Sequence, residues 1–129
     1  MVNEKKGCLY LVGTPIGNLE DLTLRAIRIL EEADIIACED TRETLKLLNH
    51  LNLKKKLVSY QKYSENEKKG QLLDFVDEGF VVALVSDAGM PGISDPGEIL
   101  VREAYERGIQ PVAIPGPSAA VTGLVVSGL

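Results

Sequence analysis

The sequence predicts an α/β domain: an open, five-stranded parallel sheet with helices on both faces. Three observations carry this expectation. Short apolar, β-branched runs at residues 8–12, 34–38, 57–60, 81–86 and 110–114 alternate with segments of helical period. The connections between runs are about a dozen residues or longer, the length a parallel crossover needs and a hairpin does not. Glycine- and proline-rich strings follow the first, fourth and fifth runs, at the strand ends where open parallel sheets collect ligands.

Each helix can be argued in turn. Leu22, Ala26, Ile29 and Ala33 recur at helical spacing between the first two strands and form one sheet-facing stripe. Thr41 is read as the cap of a second helix carrying Leu45, Leu48 and Leu51. Ser64 and Glu67 make a capping box before a helix with Leu72, Phe75 and Val76, and Gly79 can end it in a left-handed conformation. Asp95 is read as the cap of the fourth helix, with Pro96 at the first helical position, Glu98 three residues after the cap, and Gly108 closing the helix. A last helix is expected from Pro117.

With 129 residues and 45% hydrophobic content the chain can bury one core, so a single domain is expected. No apolar run approaches the roughly 20 residues that span a bilayer. Residues 1–7 have two lysines with no apolar stretch behind them, so no export signal is read and a cytoplasmic location is expected. Cys8 and Cys38 fall in strand-like runs, where a thiol behaves as a small buried hydrophobe. One histidine, His50, and two separated cysteines cannot build a zinc site, so no metal is expected. A net charge of −5 is wrong for wrapping nucleic acid with this domain alone, although it leaves a nucleic-acid substrate open. The Lys54-Lys55-Lys56 run is read as a solvated turn, with phosphate contact the alternative.

The chemistry concentrates in the loops. After the first strand comes Gly13-Thr14-Pro15-Ile16-Gly17-Asn18, after the fourth Ser86-Asp87-Ala88-Gly89-Met90-Pro91-Gly92, and after the fifth Pro115-Gly116-Pro117-Ser118-Ala119. Glycines let backbone approach a ligand, prolines stiffen the path, and free amides and carbonyls can read an adenine edge or a carboxylate. Neither the P-loop pattern nor Gly-x-Gly-x-x-Gly is present, which disfavours nucleoside triphosphates and a dinucleotide dehydrogenase. After the second strand, Glu39-Asp40-Thr41-Arg42 puts two acids where a helix dipole favours them. Arg42 opposes that dipole, so a specific pairing with Glu39, Asp40 or an anionic substrate is expected.

Taken together, GTPIGNLEDLTLRA, EDTR, SDAGMPGISDPG and IPGPSA occur in an order that resembles the tetrapyrrole methylase superfamily, the class III S-adenosylmethionine methyltransferases. EDTR and SDAGMPGISDPG point to the branch that methylates ribosomal RNA of the small subunit. The resemblance implies strand order 3-2-4-1-5, a homodimer, and S-adenosyl-L-methionine as methyl donor. It implies that residues 1–129 are an N-terminal domain, with a C-terminal domain lying beyond Leu129 and the cofactor in the cleft between them. Pro15, Ser86, Asp87, Ala88, Gly89, Pro91, Ser118 and Ala119 are the implied cofactor-lining positions. The implied reaction is 2′-O-methylation of a cytidine ribose in 16S ribosomal RNA.

Such a transfer needs the hydroxyl oxygen aligned with the methyl carbon and a base for its proton. Asp40 is the candidate base, and Arg42 the candidate partner of a substrate phosphate. One departure stands out: the family tends to place a histidine after strand three, ahead of an Asn-Glu pair. Here Tyr60-Gln61-Lys62-Tyr63 precedes Asn66-Glu67, so Tyr60 or Lys62 would have to replace it. Two other readings remain open on the residues: a methyltransferase acting on a tetrapyrrole carbon (a corrin or sirohaem precursor), and a non-catalytic small-molecule-binding domain.

Overall fold

The computed structural model describes residues 7–15, 17–60, 65–86, 97–117 and 119–128. Its strands are β1 (Cys8–Val12), β2 (Ile35–Cys38), β3 (Lys56–Ser59), β4 (Val81–Val85) and β5 (Val112–Ile114). Its α-helices are α1 (Leu24–Glu32), α2 (Thr41–His50), α3 (Glu65–Asp77), α4 (Gly97–Glu106) and α5 (Ala119–Val126), with a 3-10 turn at Leu19–Asp21. The strands form one sheet in the order β3-β2-β4-β1-β5, and every pairing is parallel. Both the class and the order are those expected.

A strand sends successive side chains to opposite faces, and here both faces are covered. Leu9, Leu11, Ile35, Ala37, Val82 and Leu84 point to one side, where Leu72, Leu73 and Val76 of α3 and Leu100 and Ala104 of α4 pack on them. Val12, Ile36, Cys38, Ala83, Val85 and Ile114 point to the other, under Ala26, Ile29 and Leu30 of α1 and Leu47 and Leu48 of α2. Burial on both sides explains why these strands read as continuous apolar runs rather than alternating ones.

Three helices end in the same way. Gly79 and Gly108 adopt φ of 100° and 77°, and Asn52 adopts 56°. The following amide of each reaches back to close the turn: Phe80 N–H donates to Phe75 O (2.9 Å), Ile109 to Ala104 O (2.8 Å), and Leu53 to Leu48 O (2.9 Å). These are Schellman motifs, and Phe75 and Phe80 add an edge-to-face ring contact at 5.8 Å across one of them. The glycine stops were legible; Asn52 was not, although asparagine is the residue that most readily replaces glycine there.

The structure corrects the second helix. Its cap is Asp40, not Thr41: Asp40 is extended (φ −117°, ψ 109°) and its carboxylate accepts from Arg42 N–H. Aspartate outranks threonine as a cap. Leu48 faces inward as expected, with Thr44 and Leu47 beside it, while Leu45 is 49% exposed. The first helix is capped by Thr23, whose side chain accepts from Ala26 N–H at 3.0 Å. Asp34 lies before β2 because its carboxylate and amide bind the N–H and O of Val81, each at 2.8 Å. The last helix starts two residues after Pro117. The expected caps Ser64 and Asp95, and Pro96 expected at the first helical position, lie outside the described residues. Lys55 clamps the end of α1, donating to the carbonyls of Glu31 (2.5 Å) and Ala33 (2.9 Å), and Lys56 lies 5.4 Å over the Phe75 ring.

Two glycine-to-alanine changes should therefore have opposite signs. A Cβ at Gly108 meets nothing, so Gly108→Ala bears only the left-handed backbone penalty, about 1–2 kcal/mol of lost stability. Gly70 lies inside α3, where a Cβ would meet only Arg107 at 3.9 Å, and Gly70→Ala should gain about 0.5–1 kcal/mol. Urea midpoints of the two variants against the parent chain check both.

Candidate functional site

The site begins with the register of the two central strands. Val12 of β1 partners Val85 of β4, so the segments leaving them emerge side by side. Thr14, only 2% exposed, uses that proximity: its hydroxyl donates to Ser86 O at 3.3 Å. On the other flank, Gly13 N–H donates to Ile114 O at 3.1 Å. Gly116 lies so close that a Cβ on it would stand 2.8 Å from Gly13 Cα and 2.9 Å from Gly13 C. Three loop roots are thus fastened together at the carboxyl edge of β4, β1 and β5.

Beside them opens a pocket of about 370 Å³, within the range of small-molecule sites. One wall is Thr14, Pro15, Gly17, Asn18 and Leu19, the other is Glu43, Thr44, Lys46 and Leu47 of α2, and Ser86 joins them. Gly17 has φ of 135°, a conformation that glycine alone adopts easily. Asn18 caps the 3-10 turn by accepting from Glu20 N–H at 3.0 Å, which fixes the path of the loop. Buried Thr44 and Leu47 anchor the α2 wall, and its outer edge carries an ion pair, Lys46 Nζ to Glu43 Oε1 at 3.1 Å.

One turn earlier on α2, Asp40 Oδ1 accepts from Arg42 N–H at 2.9 Å, and the Arg42 guanidinium reaches Oδ1 and Oδ2 at 3.4 Å each. The backbone N–H of Arg42, followed by its side chain, holds the Asp40 carboxyl below its ordinary value. Arg42 therefore has the carboxylate partner its position called for.

Residues 8–129 match the family described as Tetrapyrrole (Corrin/Porphyrin) Methylases. The chain belongs to the tetrapyrrole methylase family. It is 59% identical to the Ribosomal RNA small subunit methyltransferase I of Halalkalibacterium halodurans over 98% of its own length and 44% of the relative's. The protein of the same name from Thermotoga maritima is 50% identical over 95% of this chain and 55% of its own. The chain thus spans about half the length of these relatives. Among solved structures, the uroporphyrin-III-C-methyltransferase of Thermus thermophilus superposes with a TM-score of 0.71 at 29% identity, covering 96% of this chain and 54% of that one.

Of the positions that resemblance to tetrapyrrole methylases implied for the cofactor, Pro15 and Ser86 meet in the pocket. Asp87, Ala88, Gly89, Pro91 and Ser118 lie outside the described residues, and Ala119 opens α5. Tyr60 is 0% exposed, packed with Leu72 and Leu73, so it cannot replace a substrate-facing histidine; Lys62 lies outside the described residues. Sequence reasoning missed Thr14 and the whole α2 wall. The signal was the i, i+3, i+4 spacing of Thr44, Leu47 and Leu48, which makes one buried face and leaves Glu43 and Lys46 at its edge.

Gly116→Ala must push the fifth-strand loop off the first, an overpacking that costs about 1–3 kcal/mol. The expected result is a lower melting temperature together with a shift in the amide NMR signals of Gly13 and Thr14. Asp40 gives a pH test. Its lowered value means that its stabilisation is present above the ordinary 3.8 and lost as pH falls through the folded value. Asparagine also caps well, so Asp40→Asn should be less stable than the parent at neutral pH, and the two denaturation midpoints should converge in acid. Asp40→Ala, lacking a cap, should stay below the parent at every pH.

Proposed function

We propose that this chain is the N-terminal half of an S-adenosyl-L-methionine-dependent methyltransferase that acts on the 2′-hydroxyl of a cytidine ribose in 16S ribosomal RNA of the small subunit. The observation that carries the reading is identity of 50–59% over nearly the whole chain to relatives named for small-subunit ribosomal RNA methylation. The loop roots suit the donor. Gly116 packed directly on Gly13 holds the fifth-strand loop against the first, and Pro15 and Ser86, with buried Thr14, border the pocket beside them. When bound, S-adenosyl-L-methionine supplies an electrophilic methyl group. Pro15, Ser86, Asp87, Ala88, Gly89, Pro91, Ser118 and Ala119 are the positions assigned to hold it.

The chain's own contribution is then positioning and proton removal. Arg42 takes a phosphate of the RNA strand, and Asp40 accepts the ribose hydroxyl proton. While Arg42 rests on Asp40 the carboxylate is a weak base; drawing the guanidinium onto phosphate leaves it a stronger one. The half of the protein outside this chain closes the cleft as a C-terminal domain. In support, α5 follows β5 with Val121, Leu124, Val125 and Val126 at 60–79% exposure, an apolar surface that soluble domains normally cover. The same reading makes the protein a cytoplasmic homodimer; among the described residues no helix is long and apolar enough to cross a membrane.

A tetrapyrrole acceptor is the second reading, favoured by the TM-score of 0.71 to a uroporphyrin methyltransferase. Incubating the full-length protein with labelled donor and either isolated small ribosomal subunits or a tetrapyrrole precursor separates the two. The expected product is one cytidine whose 3′ phosphodiester resists alkali, because its 2′-oxygen is methylated. Label in the tetrapyrrole alone would reverse the assignment. If Asp40 is the base, Asp40→Asn should lower the methylation rate about 10²-fold or more with donor binding intact; an unchanged rate removes Asp40 from that role.

A further inference from the structure

The described basic side chains of this acidic domain differ in what they hold together. Lys55 holds the end of α1, Lys56 covers Phe75, and Arg107 ties α4 to Asp74 and Asp77 of α3 at 2.8 and 3.3 Å. Those three join separate elements. Among the described residues, Arg28 and Arg102 pair only within their own helices, and so do Arg42 and Lys46, with Asp40 at the cap of α2 and with Glu43. The Arg42 and Lys46 side chains are 87% and 73% exposed.

Their placement is not what helix stability would select. Arg42 is in the first turn, where a cation opposes the helix dipole. Spaced i and i+4, Arg42 and Lys46 share one face of α2. Four residues of helix rise about 6 Å, close to the separation of successive phosphates on one nucleic-acid strand. Lys46 also lines the pocket, so the pair leads from open solvent to the pocket rim. Exposed pairs of this kind hold weakly, whereas a phosphate that displaces the carboxylates also releases its own counterions.

We propose that Arg42 and Lys46 form a two-phosphate seat that lays a single-stranded RNA segment along α2 and brings its acceptor nucleotide to the pocket, with Asp40 and Glu43 holding the two cations until phosphate displaces them. This rests on the reading of the protein as an RNA methyltransferase. A seat restricted to two adjacent phosphates also suits a domain whose net charge of −5 repels RNA elsewhere.

The test measures binding of the full-length protein to isolated small ribosomal subunits across a salt series, with methyl incorporation followed in parallel. Lys46→Gln and Arg42→Gln should each weaken binding several-fold at low salt. Each should make the slope of log affinity against log salt shallower by about 0.7, the contribution of one phosphate on a single strand. Glu43→Gln removes the competitor of Lys46 and should tighten binding. Arg102→Gln, which breaks an exposed pair with Glu98 on the opposite face of the sheet, should change neither quantity. Unchanged slope and affinity in Lys46→Gln, or an equal loss in Arg102→Gln, overturns the seat while leaving the methyltransferase reading intact. A wild-type protein that binds and methylates no ribosomal subunit overturns that reading itself, and the seat with it.

Discussion

Because Val12 and Val85 are partners in the parallel ladder between β1 and β4, the chain leaves both strands at the same height, and the rest of the site is built from that coincidence. Thr14 can reach Ser86 O only from there. Gly13 can bond Ile114 O only because β5 flanks β1 on its free side. A parallel sheet sends all its strand ends in one direction, so every loop carrying unusual residues has to meet its neighbours at one edge. A slip of one residue between β1 and β4 would turn the buried side chains of one strand to the wrong face. The two apolar layers that secure the register therefore also secure the loop roots.

Covering both faces with helices leaves the carboxyl edge as the place where backbone groups stay available. What occupies that edge is not only glycine. Asp40 carries two loads at once, capping α2 through the amide of Arg42 and neutralising the guanidinium of the same residue. The cap fixes where α2 begins, and burial of Thr44, Leu47 and Leu48 against the sheet leaves Glu43 and Lys46 at the border of the pocket.

The fold was legible because its strongest signals are local. Buried parallel strands show as apolar runs, and Gly79 and Gly108 end helices wherever they are placed, since their left-handed φ is an intrinsic freedom. The strand order came from resemblance to a family and not from these signals; nothing local tells β4 to insert between β2 and β1. The α2 wall was misread for a specific reason. The expected stripe was drawn through the leucines alone: Leu48 and Leu51 do pack on the core, but Leu45 is exposed and Thr44 and Leu47 take the inward places beside it. Thr14 was passed over because a threonine in a glycine-proline loop gives no sign that its hydroxyl is buried against a strand 72 residues away. Tyr60 looked available from its place after a strand, but long-range packing against α3 buries it.

The same fold is shared by proteins whose names give them different acceptors, ribosomal RNA in one case and uroporphyrin in another. A common scaffold cannot by itself make that choice; it has to be made by side chains mounted on the scaffold. The β1, β4 and β5 loop roots in this chain are held by backbone contacts, Gly13 to Ile114 and Gly116 against Gly13, which many sequences can reproduce. The α2 wall is different: Arg42, Glu43 and Lys46 are exposed, and among the described residues their ion pairs stay within α2 and its cap. Residues free of structural duty are the ones that can change without unfolding the domain. On the proposed methyltransferase reading, acceptor choice is therefore best sought on the α2 side of the pocket, and donor binding on the side of β1, β4 and β5.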